Sequence, residues 1–304
     1  MRSSKPNRSL LVLSGFCTAA AIAAATGIVL GAGTPALNIA ALGMGISLGP
    51  FLAAYATVSP RRKQAARRLV LLTGGITILA FSLLASANLD LEGFFLLLLE
   101  GVAGAAIGHT LITVVIGPLF FGRFLCGWGC WRAMVLELLP VGRGSRRNGL
   151  SRNLPLAGLL ATLIAAVAGY FFLGHHAGGA PGSPHKAGTL SLLGGIAVYY
   201  ATSILLAFGL NDQRAFCKYL CPNAAILRLT SRLSLLKMAP DPDRCDGCGA
   251  CSKICPMDID VRAFALSGRR IGTGDCILCQ RCAQVCPSGA LSASFGFGAS
   301  KMGR

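Results

Sequence analysis

Apolar residues run in long blocks through the first two thirds of this chain, with polar residues gathered in short clusters between them. A helix needs about 20 mostly apolar residues to cross the ~30 Å of hydrocarbon in a bilayer. Six stretches have that length: Leu10–Ala32, Ala36–Val58, Leu69–Asn88, Gly93–Gly122, Pro155–Leu173 and Thr189–Leu210. Five hold no charged residue, and Gly93–Gly122 holds Glu100 and His109. One such helix could sit in a large soluble core. Six in 304 residues predict an all-α polytopic membrane domain over residues 1–210. From Asp212 the blocks stop. Residues 211–240 read as a linker, in which Ala224–Leu236 is an interfacial helix with its apolar side in lipid. Residues 241–295 read as a small α+β domain, and 296–304 as a disordered tail.

Composition agrees. Only 13% of residues are charged and 54% are apolar, too little polarity to cover a soluble protein of this size. The formal charge of +17 comes from 28 Lys and Arg against 11 Asp and Glu. Twenty-seven of those 28 lie in the N-terminal tail, in residues 59–68 and 123–154, and beyond Asn211; the alternating loops hold only Lys186. Basic residues stay on the cytoplasmic side of a membrane. Both termini are therefore expected in the cytoplasm, in a bacterial inner membrane. The charge reads as orientation and contact with membrane lipid, with no nucleic-acid partner. The first stretch has a rival reading as a signal peptide, but 23 apolar residues are long for that, which favours an uncleaved helix.

Thirteen cysteines are too many for packing, and ten follow residue 216. Cys245-x2-Cys248-x2-Cys251-x3-Cys255-Pro256 is repeated as Cys276-x2-Cys279-x2-Cys282-x3-Cys286-Pro287. This is the bacterial run for two [4Fe–4S] clusters, in which the fourth cysteine of each run ligates the other cube. Cys245, Cys248, Cys251 and Cys286 are the expected ligands of one cluster, and Cys276, Cys279, Cys282 and Cys255 of the second. Disulfides are disfavoured in a reducing cytoplasm. Zinc could use the paired cysteines but leaves the third step and the following proline unexplained, twice over. The fold class is thus a polytopic helical membrane domain with a C-terminal α+β two-[4Fe–4S] ferredoxin-like domain.

Two more pairs, Cys126-x3-Cys130 and Cys217-x3-Cys221, follow the fourth and sixth stretches. On a helix each pair would share one face, and the two pairs could converge. A redox thiol site, a metal site, a third cluster and a set of packed reduced thiols all stay open. His109 and Glu100 are ionisable groups at membrane depth, which are costly and so are candidates for handling quinol protons. The ordinary alternatives are a His bonded to a carbonyl and a Glu near the interface. His175, His176 and His185 read as parts of a solvated loop.

The run Phe120–Arg132, the segment Cys217–Pro222 and the doubled cluster motif together resemble the membrane-bound ferredoxin-type proteins of the NapH/MauN type, related to the polyferredoxin parts of NosR and CcoG. Two features depart from that family. Trp131 follows the first CxxxC where the family usually has Pro, and the first two apolar stretches exceed its usual four spans. The resemblance implies a quinol-linked electron-transfer component. It would work between the membrane quinone pool and a partner redox protein or ferredoxin-type subunit. The alternative class is a redox or metal-handling maturation factor for a respiratory or periplasmic metalloenzyme.

Overall fold

The computed structural model describes residues 52–84, 90–99, 105–142, 153–173 and 186–296, with a few single positions elsewhere. Most of Leu10–Ala32 and of Ala36–Val58, Glu100, the loop histidines and residues 297–304 lie outside the described residues. Three described helices are long and apolar enough to cross a membrane: Pro60–Leu83, Leu154–Phe172 and Leu192–Gly209. They belong to α1 (Lys63–Leu84), α7 (Leu154–Leu173) and α8 (Lys186–Gly209). A bent pair, Gly108–Phe121 with Phe124–Leu136 at 94°, makes a fourth if it is counted as one span.

The expectation of a single helix over Gly93–Gly122 is corrected: the first helix ends at Leu99, and Gly101 stands left-handed at φ 68°. The segment forms α2 (Leu91–Leu99) and, after a break, α3 (Ala105–Thr110), a π-helical stretch Leu111–Ile116, and α4 (Gly117–Phe121). Pro118 has no N–H to give to the turn before it. The chain there widens to a π pattern, with the Gly117 N–H bonded to the Ile112 carbonyl. Gly122, at φ 59°, then ends the helix. Short helices α5 (Phe124–Trp128) and α6 (Trp131–Leu136) follow, and α6 packs along α1.

Beyond α8 come α9 (Ala215–Tyr219) and α10 (Pro222–Thr230). The expected interfacial helix Ala224–Leu236 is also corrected. After a 3-10 turn at Ser231–Leu233 the chain extends, and Leu236 opens strand β1 (Leu236–Pro240). The Ala224, Ala225 and Leu227 side of α10 is buried rather than turned to lipid, and among the apolar residues of the segment only Leu229 and Leu233 stand exposed. Helix α10 seats itself on α7 and on the π stretch, which claims its apolar face.

The C-terminal region holds α11 (Ala250–Ile254), α12 (Val261–Leu266), α13 (Arg281–Val285) and β2 (Leu291–Phe295). Strand β2 pairs antiparallel with β1, from Leu236↔Phe295 to Pro240↔Leu291, so the end of the region closes on its start. No separate core isolates it. One apolar cluster joins Leu52, Tyr55 and Val70 through Phe124 and Trp128 to Ile277, Leu278 and Val261.

Charge fixes the same junction. Glu137, just past α6, is buried and accepts hydrogen bonds from Arg67 of α1, Arg214 before α9 and Arg281 of α13. Burial alone would raise its pKa, but the Arg214 and Arg67 charges outweigh it and hold the carboxyl well below the usual carboxylate range. Lys218 of α9, fully buried, meets Asp212 at 2.5 Å and Asp258 of the C-terminal region at 2.8 Å. Asp275 accepts Arg123 at 3.3 Å and Arg228 at 2.7 Å.

Removing one partner of a buried ion pair strands the other and costs about 3–5 kcal/mol. Glu137→Leu leaves three guanidinium groups facing each other and should lower stability by about that much or more, read as a drop in thermal midpoint. A depressed carboxyl stabilises fully above its unfolded-state pKa and less as pH falls towards its folded one. Wild-type stability should therefore decline on acidification below the ordinary carboxylate range, and Glu137→Leu should flatten that slope.

Candidate metal centres

The two cysteine runs of the C-terminal region fold alike. Cys248 is flanked by Gly247 at φ 71° and Gly249 at φ 74°, and Cys279 by Leu278 at φ 53° and Gln280 at φ 58°. Left-handed residues on both sides turn three consecutive cysteines around one centre. Glycine adopts that conformation freely, whereas Leu278 and Gln280 each carry about 1–3 kcal/mol of backbone strain. The fourth cysteines match as well. Cys255 and Cys286 end α11 and α13 in extended conformation, and each is followed three residues on by a left-handed Asp258 or Gly289.

Cys255, Cys276, Cys279 and Cys282 all line one small cavity of about 20 Å³, walled by Met238, Met257 and Ile271. This foursome takes three cysteines from the second run and one from the first. Helices α11 and α13 pack side by side, which lets Cys251 and Cys286 approach each other in the same crossed sense. Cys248 is exposed, and Cys245 and Cys286 are half-buried. Burial pushes the Cys276 thiol up to about 12 and the Cys282 thiol well above the ordinary value, with neighbouring cysteines adding to the effect. Such thiols ionise only with a cation between them, so loading a metal there releases protons. Among the described residues no three His, Cys, Asp or Glu side chains gather tightly enough for a single ion. Zinc would need all its sulfurs at about 2.3 Å from one centre. Four thiols lining one cavity fit a cluster, which spreads its ligands over separate irons.

The two CxxxC pairs are not each on one helix, as the spacing alone suggests. Cys126 lies in α5 while Cys130 precedes α6 in extended conformation; Cys217 lies in α9 while Cys221 precedes α10. Gly129 and Pro222 break the helices between or beside the thiols. The pairs nevertheless converge: Cys126, Cys130, Cys217 and Cys221 lie within electrostatic reach of one another. Arg214 binds both sides of the group, with Nη1 3.1 Å from the Cys126 carbonyl and 3.9 Å from the Cys217 Sγ. Burial raises the Cys221 thiol to about 11.

This four-thiol group adjoins the second cysteine run. Trp128, between Cys126 and Cys130, donates Nε1–H to the Leu278 carbonyl at 3.0 Å. Gly127 lies so close to the Ile277 carbonyl oxygen that a Cβ would collide with backbone. On its other side the group borders a larger cavity, of about 120 Å³, which Cys126, Cys130 and Cys221 line together with His109.

A family model described as a 4Fe-4S dicluster domain matches residues 237–287, and one described as a 4Fe-4S binding domain matches residues 105–148 and 194–239. The second covers both CxxxC pairs. An uncharacterized protein of Methanocaldococcus jannaschii is 25% identical over 68% of this chain and 81% of its own length. The methylamine utilization ferredoxin-type protein MauN of Paracoccus denitrificans is 32% identical over 58% of this chain and 63% of its own. The ferredoxin-type protein NapH of Haemophilus influenzae is 27% identical over 58% and 65%. These matches support a ferredoxin-type protein of the NapH/MauN type. No solved structure matches it. The chain spans just under two thirds of the length of MauN and NapH.

Sequence reasoning missed the residues that hold the centres together. Arg67, Arg123 and Arg214 counted only as orientation charge, yet all three are buried. One signal was available: with only 11 acidic residues in the chain, a Glu at position 137 amid arginines is conspicuous. Glu100 cannot be set beside His109, because it lies outside the described residues.

Gly127→Ala tests the close seat of the first CxxxC turn. The added methyl forces Ile277 away, so hydrogen exchange around residues 273–280 should rise several-fold while iron content is retained.

Proposed function

We propose that this protein is a membrane-bound iron–sulfur electron-transfer component that exchanges electrons between the quinone pool and a partner redox protein. Cys245, Cys248, Cys251 and Cys286 would hold one [4Fe–4S] cluster, and Cys276, Cys279, Cys282 and Cys255 the other. When bound, such clusters store and pass single electrons without organic chemistry of their own. The reading is carried by one observation: the Cys276–Cys279 loop sits directly on the Cys126–Cys130 turn, through Trp128 and Gly127, with no linker between them. The second cysteine set thus faces the membrane helices, while the exposed Cys248 of the first set faces outward, where a partner could approach. The protein's own residues orient and shield. Trp128 and Leu278 exclude water at the junction, and the Glu137 and Asp275 ion pairs hold its two sides in register.

The distribution of basic residues supports six crossings of a bacterial inner membrane with both ends in the cytoplasm. That count takes the bent pair as one crossing and adds Leu10–Ala32 and Ala36–Val58. The convergence of Cys126, Cys130, Cys217 and Cys221 favours a further redox or metal site at the junction. The same convergence supports a second reading, a maturation factor that hands electrons or a metal to another enzyme.

Anaerobically purified protein should contain about eight irons or more per chain. Its EPR signals should change when a quinol analogue is added. Far less iron, or signals indifferent to quinol yet reducible by dithionite, overturns the leading reading. The two readings separate on a partner already assembled. Withdrawing an electron-transfer component stops turnover, as Cys279→Ser should; withdrawing a maturation factor leaves the partner active.

A further inference from the structure

The cavity of about 120 Å³ beside the four CxxxC thiols is bordered mainly by apolar side chains, among them Ile78, Leu79, Leu192, Ile196 and Leu227. Polar groups interrupt that lining, among them Ser82, His109, Thr110, Thr113 and Asn223. The Thr110 Oγ1 and Asn223 Oδ1 atoms are buried and have no hydrogen-bond partner among the described residues. A buried polar atom left unpaired costs about 1–3 kcal/mol, and two facing the same space call for a partner that fills it. Thr110 supplies a hydroxyl able to donate or accept, and Asn223 Oδ1 an acceptor.

The backbone adds a second, independent mark. His109 and Thr110 immediately precede the π-helical stretch Leu111–Ile116, and π turns recur at functional sites because they push side chains out of the regular helical register. The cavity carries no unbalanced fixed charge, since Arg132 on its wall is paired with Asp90 at 2.6 Å. An ionic ligand is therefore poorly matched. The volume is far below the ~300–1,000 Å³ of sites for drug-sized ligands and suits a single ring. A neutral six-membered ring with oxygens at opposite edges fits the size, the apolar walls and the two unpaired atoms.

We infer that this cavity binds the headgroup of a quinone or hydroquinone. Thr110 Oγ1 and Asn223 Oδ1 hydrogen-bond its oxygens, and His109 forms the third polar contact. The quinone carbonyl accepts from the Thr110 hydroxyl, and in the reduced ligand a ring O–H donates to Asn223 Oδ1. Cys126, Cys130 and Cys221 also line the cavity, which brings the ring next to the thiol group. This rests on the reading that the protein works with the quinone pool.

The chain's two tryptophans supply the probe. Trp131 lines the cavity, and Trp128 lies three residues before it. Titrating full-length, iron-loaded protein in lipid nanodiscs with a short-chain ubiquinone analogue should quench tryptophan fluorescence saturably. Thr110→Val and Asn223→Leu should each weaken the apparent Kd about five-fold or more. Thr110→Ser, which keeps the hydroxyl, should bind like the wild type. Replacing an unpaired buried polar atom by an apolar group of similar size is close to neutral for stability, so both variants should keep wild-type iron content and thermal midpoint.

Unsaturable quenching in the wild type, or equal affinity in both variants, overturns the site. The site and the functional reading fail differently. Saturable binding with no quinol-dependent EPR change sinks the function and leaves the site. Quinol-dependent EPR changes with unaltered binding in the variants sink the site and leave the function.

Discussion

Glu137 is one carboxylate answering three guanidinium groups, and they come from three distant parts of the chain. Arg67 belongs to the long apolar helix α1, Arg214 to the turn after α8, and Arg281 to the helix of the second cysteine run. In a low-dielectric interior such a group tolerates no partial version of itself. Each arginine is stable there only because the carboxylate is present, and the carboxylate stays ionised only because the arginines are. The result locks the C-terminal region to the membrane helices in one orientation, which apolar contact alone would fix less tightly.

The rest of the junction follows the same economy. Of the 11 acidic residues in the chain, Asp90, Glu137, Asp212, Asp258 and Asp275 each meet an arginine or lysine across an element boundary. A chain this basic could have used its acids on the surface. It uses these five inside, where a charged pair discriminates between correct and shifted packing because a misplaced partner leaves a buried charge bare. The continuous core from Val70 through Trp128 to Ile277 supplies the non-directional part of the same attachment.

The cysteine sites rest on backbone conformation as much as on sulfur. Each middle cysteine sits between two left-handed residues, and each fourth cysteine ends a short helix in extended form. Two runs of the same sequence rhythm thereby produce two copies of the same turn, crossed so that one cavity draws on both. Burial and neighbouring cysteines push the Cys276 and Cys282 thiols up, so ionising them would call for added positive charge at the cavity.

Much of this was legible in one dimension because it depends on local spacing. Apolar blocks of membrane length, the bias of basic residues among the loops and the doubled Cys-x2-Cys-x2-Cys-x3-Cys-Pro run each act over a few turns of chain, and the spans at α1, α7 and α8 and the crossed cysteine set follow from them. Other features required the folded chain. The turn at Gly101 that splits Gly93–Gly122, the claim of α7 on the buried face of α10 and the convergence of two CxxxC pairs some ninety residues apart all depend on the folded chain rather than on local spacing. The roles of Glu137, Thr110 and Asn223 were equally invisible, because an ion pair or an unpaired buried atom is defined by what lies across a gap, and no local pattern records that.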